Sequence, residues 1–168
     1  LVPIHVMLMT NGKVLMWDSV GDNPPEHYPV HNFTRASVWD PASNLVSNVD
    51  NHSTGYNMFC AGHAHLPDGT PFLAGGNLNI SLDGISATHL FDQNANIWAL
   101  GPQMTQGARW YPSVTPLSNG EMLITGGGPD KHEVYTTSGT LRTLNSITLS
   151  LPLYPWFQAA PKGQAFYF

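Results

Sequence analysis

The sequence predicts an all-β chain built from repeated antiparallel units, and three observations carry that expectation. Glycine and proline are abundant, 16 and 14 of 168 residues, while only 10% of residues are charged; short strands joined by tight loops have this composition. No 3.6-residue apolar pattern runs for ten residues without a Gly or Pro, so no helix is expected. Four stretches share one grammar of apolar strand, turn ending in glycine and second apolar strand: PIHVMLMTNGKVLMWD (3–18), FCAGHAHLPDGTPFLAGG (59–76), RWYPSVTPLSNGEMLITGG (109–127) and YPWFQAAPKGQAFYF (154–168).

The turns are Asn11-Gly12, Asp68-Gly69, Asn119-Gly120 and Lys162-Gly163. Asn-Gly and Asp-Gly suit the positive φ angles of a two-residue type I′ hairpin, which is the turn expected here. The turn glycines follow one another at separations of 57, 51 and 43 residues. A repeat near 50 residues is that of a kelch propeller blade. Outer strands are expected in ASVWDPASN (36–44) and ATHLFDQNANIWALGPQM (87–104), turning at Asp40-Pro41 and Asp92-Gln93, with Trp98 on a fourth strand. Gly75-Gly76 and Gly126-Gly127-Gly128 end second strands, where glycine lets backbones approach closely near a propeller axis. The predicted fold is therefore a kelch-type β-propeller segment of about three blades (1–50, 51–104, 105–150) and the start of a fourth (151–168). It is read as an excerpt of a larger ring, inactive alone.

Several function classes are excluded. With 6 basic against 11 acidic residues and a net charge of −5, nothing would neutralise phosphates, so nucleic acid is not an expected partner. No apolar run approaches the length of a membrane span. The sequons Asn32-Phe-Thr34, Asn51-His-Ser53 and Asn79-Ile-Ser81 predict a secreted glycoprotein.

One cysteine cannot form an internal disulfide, so Cys60 calls for another reading. A lone cysteine is most often a small buried hydrophobe. Tyr111 holds nearly the matching place in the following repeat, and adjacent blades set matching positions side by side, so Cys60 and Tyr111 are expected to be neighbours. On these two motifs, NMFCAGHAHLPDGTPFLAGGN and ARWYPSVTPLSNGEMLITGGG, the chain resembles the galactose oxidase and glyoxal oxidase family of copper radical oxidases. LPLYPWFQAAPKGQAFYF is similar to that family's next hairpin, and the first hairpin fits too. The resemblance implies the N-terminal part of a catalytic domain that is a seven-bladed propeller. It implies a thioether between Cys60 and Tyr111, with Tyr111 as copper ligand and radical carrier, and the remaining copper ligands beyond residue 168. It implies oxidation of a small aldehyde or primary alcohol by O2, giving H2O2. The chemical need is plain: removing two electrons with a one-electron metal calls for a second redox group, here built from the protein.

Other candidates receive plainer readings. His63 and His65 share a strand face but are expected to point away from the copper. His5, His89 and His132 are expected at the surface. Arg109 is assigned a structural pairing with Asp68 or another acid, and Trp110 and Trp156 are assigned to blade packing. Galactose oxidase has a Trp just after the Gly-Gly of the Tyr-bearing hairpin, whereas Gly127-Gly128-Pro129-Asp130 has none; this leaves the substrate open among aldehydes, primary alcohols and carbohydrates. The alternative is a non-catalytic kelch propeller that binds a protein or glycan, for which the Cys60–Tyr111 pair has no use.

Overall fold

The computed structural model describes residues 1–18 and 31–168. Among them are three four-stranded antiparallel sheets and one two-stranded sheet, each with its strands in chain order. The first holds β1 (His5–Leu8), β2 (Val14–Trp17), β3 (Ala36–Asp40) and β4 (Leu45–Asn48). The second holds β5 (Gly62–His65), β6 (Pro71–Ala74), β7 (Thr88–Asp92) and β8 (Ile97–Leu100). The third holds β9 (Ser113–Pro116), β10 (Met122–Thr125), β11 (Glu133–Tyr135) and β12 (Leu141–Thr143), and β13 (Phe157–Ala159) pairs with β14 (Ala165–Tyr167). The described residues contain no helix, as expected, and none of their sheets closes on itself.

The hairpin turns differ in type from the expectation. Only the glycines are left-handed, at φ 78, 85, 84 and 77 for Gly12, Gly69, Gly120 and Gly163; the residues before them are not. Each glycine N–H instead closes a turn on the carbonyl three residues back, as in Gly12 to Met9 at 3.0 Å, while Met9 N–H reaches Lys13 O at 2.8 Å. That is a three-residue loop with glycine in the bulge position. The preceding Asn or Asp has another task. Asn11, Asp68 and Asn119 each accept the N–H two residues on, at 3.0, 2.9 and 3.1 Å, which is an Asx turn. The outer turns use the same device: Asp40 Oδ1 accepts Ala42 N–H and Asp92 Oδ1 accepts Asn94 N–H.

Alternation along the strands decides the packing. All four residues of β6 are buried because both faces of its sheet are covered. Leu73 joins Met7, Leu15, Trp17, Val38, Phe91 and Trp98 in a core between the first two sheets. Phe72 and Ala74, on the other face, join Met122, Ile124 and Tyr135 in a core between the second and third. Trp98 is 4% exposed and donates Nε1–H to Val49 O at 2.8 Å, pinning β8 to the end of the first sheet. Truncation to Trp98→Ala is expected to cost about 3–5 kcal/mol in denaturant unfolding of the protein, through cavity and lost contact. Trp98→Phe should cost about 1–3 kcal/mol, since it mainly strands the Val49 carbonyl.

Candidate functional site

The site forms where each repeat enters its first strand. A tight turn, with Ala61 N–H on Met58 O at 3.1 Å, leads into β5 and leaves Cys60 left-handed at φ 64. Tyr111, before β9, is left-handed at φ 58, and Tyr154, before β13, at φ 47. The three are joined through the backbone: Tyr111 N–H donates to Cys60 O at 3.1 Å, and Tyr154 N–H donates to Tyr111 O at 2.7 Å. Cys60 N–H donates to a side chain, His5 Nε2, at 3.1 Å. Close approach of the strands makes this possible. A Cβ on Gly62 would sit 2.5 Å from Pro112 O, so only glycine lets β5 lie against β9 here.

Cys60 and Tyr111 are thus neighbours, and they share a cavity of about 300 Å³ with Ile4, His5, Phe59, His63 and Tyr154. Cys60 is 1% exposed. The Tyr111 ring lies 4.6 Å from that of Tyr154 and 4.1 Å from that of Trp110. Burial, with Cys60 and Tyr111 close by, pushes the Tyr154 phenol above its ordinary range. Tyr154 lies outside the sequence expectation for the site, and its one signal is that Tyr154-Pro155 repeats the Tyr111-Pro112 dipeptide.

The histidines depart from the expectation. His63 lines the cavity, and its ring meets those of His5 and Trp17 at 5.5 and 4.9 Å. His65, the other half of the His-x-His pair, does not line that cavity. His5, His89 and His132 are buried rather than at the surface. His5 stacks on Trp17 at 4.9 Å, and burial together with His63 lowers its pKa to about 3. Burial lowers His89 to about 4, with Thr54 Oγ1 at 3.1 Å from its Nε2. His63 and His132 are also lowered, chiefly by burial.

Arg109 is structural, and its acid is Glu133, not Asp68. The pair is fully buried at 3.8 Å. The guanidinium also donates to the carbonyls of Gly126 at 2.6 Å, Pro129 at 3.4 Å and Lys131. Glu133 Oε1 accepts Thr105 N–H at 2.8 Å. Trp110 is half-buried with its ring against Tyr111, and Trp156 is 72% exposed, since no described residue covers its face of the β13–β14 hairpin. The Asn51 sequon is closed by its fold: Asn51 is fully buried and bonded to Thr54. Asn32 is exposed.

Among the described residues no three His, Cys, Asp or Glu side chains converge as a metal site, and there is no helix long and apolar enough to cross a membrane. What the cavity offers is phenol oxygens, a thiol and imidazoles.

No protein-family profile matches the chain. A galactose oxidase of Gibberella zeae is 34% identical over 118 residues, 70% of this chain and 16% of that protein. A WSC domain-containing protein of Arthroderma benhamiae is 26% identical over 185 residues, 97% of this chain and 19% of that protein. The chain therefore spans less than a fifth of the length of either relative. Among solved structures, a fungal alcohol oxidase of the AA5 family, in complex with copper, superposes with a TM-score of 0.68 at 24% identity, over 84% of this chain and 30% of that one. The arrangement of sheets is thus shared with part of that oxidase.

Two outcomes test the buried polar groups. Arg109→Leu is expected to destabilise the protein by about 3–5 kcal/mol, because it strands a buried carboxylate; Glu133→Gln should cost less in the same chemical melts, since its amide oxygen still accepts Thr105 N–H. For the buried imidazoles the sign follows from lowered folded pKa values. Between pH 6.5 and about 4 the unfolded chain takes up protons that folded His89 refuses. Its stabilising contribution is therefore complete above pH 6.5 and lost as pH falls through that window. Melting temperature followed from pH 7 to 4 should fall less steeply in His89→Gln.

Proposed function

The chain belongs to the copper radical oxidase family of galactose oxidase, and on that premise we propose that it forms part of an oxidase acting on an aldehyde or primary alcohol with O2, through a Cys60–Tyr111 thioether radical cofactor. The observation that carries the reading is the backbone bond between Cys60 and Tyr111 at the wall of one cavity. The same reading makes the sheets blades of a kelch-type propeller. It also makes the protein secreted, in keeping with the exposed side chain of Asn32, the acceptor of its sequon.

The donor chemistry fits copper in part. A phenol beside a buried thiol suits a tyrosine ligand, and nitrogen and oxygen donors suit tetragonal copper(II). From this chain Tyr111 would hold the metal. His5 Nε2 is already engaged by Cys60 N–H; the family resemblance assigns the other ligands to residues outside these 168. Bound there, copper would supply one-electron redox chemistry. The Tyr111 radical would take the substrate's second electron, and a sulfur ortho to the Tyr111 oxygen would make that radical easier to form by delocalising it. Phe59, Ile4 and the neutral imidazoles of His5 and His63 would limit water at that ring. An alcohol leaves as the aldehyde, and an aldehyde, taken as its hydrate, leaves as the acid. O2 takes the two electrons and two protons as H2O2.

The test uses the full-length protein given copper and air. Peptide mapping should show Cys60 and Tyr111 peptides joined with loss of two hydrogens, and metal-free protein should stay unlinked. Tyr111→Phe should lower peroxide release about a thousandfold or more, roughly 4 kcal/mol in barrier, and Cys60→Ala should keep the fold but lose most of the rate. Glyoxal-type aldehydes, simple primary alcohols and galactose offered separately would sort the substrate class. A copper-loaded protein with an unmodified Cys60 thiol would sink the reading and leave a partner-binding propeller.

A further inference from the structure

At the three left-handed positions one peptide N–H differs from the other two. Tyr111 N–H finds the carbonyl of Cys60 and Tyr154 N–H finds that of Tyr111. Cys60 stands first in this series, and its N–H finds a side-chain nitrogen 55 residues away. A buried N–H without an acceptor is costly, so His5 Nε2 takes the place that a carbonyl occupies in the later repeats. The imidazole is itself held on three sides. It lies flat on Trp17 at 4.9 Å and 9° and meets Phe59 and His63 edge-on at 6.1 and 5.5 Å. Acceptance by Nε2 requires a neutral ring with its proton on Nδ1, and burial keeps the ring neutral.

We propose that His5 is a positioning residue for Cys60: by accepting the Cys60 peptide N–H it fixes the left-handed turn that sets Cys60 beside Tyr111, and so governs how fast the two are joined. This rests on the thioether reading above. In the joining step the Cys60 S–H bond and one ring C–H bond of Tyr111 break and an S–C bond forms. O2 takes the two electrons and two protons and leaves as H2O2. His5 neither gains nor loses a proton; its part is to hold the peptide.

Two variants of the full-length protein separate that part from a merely structural one. His5→Phe keeps a flat ring on Trp17 and removes the acceptor; His5→Gln keeps an acceptor at similar reach. Each is purified without metal, given copper and air, and followed by mass for loss of two hydrogens, with melting temperature measured alongside. His5→Phe is expected to join about tenfold more slowly, the effect of one lost hydrogen bond, while His5→Gln stays within about threefold of wild type. A folded His5→Phe protein that joins at the wild-type rate overturns the proposal, and so does a His5→Gln protein as slow as His5→Phe. Should His5→Phe not fold, the Gln variant and wild-type amide exchange decide: Cys60 N–H exchanging as fast as an exposed loop amide overturns the proposal, and protection with a normal Gln rate supports it. Failure of the wild type to join at all would instead count against the thioether reading.

Discussion

Two peptide hydrogen bonds, Tyr111 N–H to Cys60 O and Tyr154 N–H to Tyr111 O, tie the entries of three successive repeats together. Left-handed backbone at a bulky residue costs about 1–2 kcal/mol, and three such residues stand in a row. The strain persists because the surroundings over-determine it. Gly62 admits β9 against β5, and the cores on either side of the second sheet fix where its strands can lie. Local strain is therefore held by long-range packing, and neither would keep its geometry without the other.

Arg109 extends the same logic to polar groups. It precedes Trp110 and Tyr111, and its guanidinium gathers the carbonyls of Gly126, Pro129 and Lys131 from the loop after β10. A buried ion pair alone seldom repays its desolvation. Here Glu133 also accepts the Thr105 N–H and hydroxyl, so the pair ties two loops to the segment that leads through Tyr111 into β9. Its Nη1 and Nη2 donors are taken up by backbone carbonyls and by Glu133, as a structural role requires.

Much of this was legible in the sequence because repeats make distant residues comparable. The turn glycines set the period, and the period put Cys60 beside Tyr111. What escaped lay outside the repeat. His5 has no counterpart at matching positions, and its partner is a peptide N–H, which no side-chain spacing reveals. Glu133 was hidden because Arg109 meets it across β10 and β11, beyond any local pattern. The Asn-Gly turns misled about type, since Asn11 and Asn119 serve as acceptors for the next N–H but one rather than as left-handed residues. Asn51 reads as a sugar acceptor in a loop, and only burial shows its amide turned inward.

The left-handed position also explains how chemistry could enter a repeat without disturbing it. The peptide at that position makes the bonds the fold requires, while the side chain points into a cavity that the fold does not need to fill in one particular way. In the second repeat it is a thiol, in the third and fourth a phenol, on one backbone geometry. Joining two side chains covalently requires them in contact first, and costs little reorganisation when the backbone already holds both. The repeat thus supplies preorganisation and leaves identity free. Of the three positions, Cys60 alone depends on a side chain for its N–H, so its placement answers to His5 in a way that Tyr111 and Tyr154, tied to main-chain carbonyls, do not.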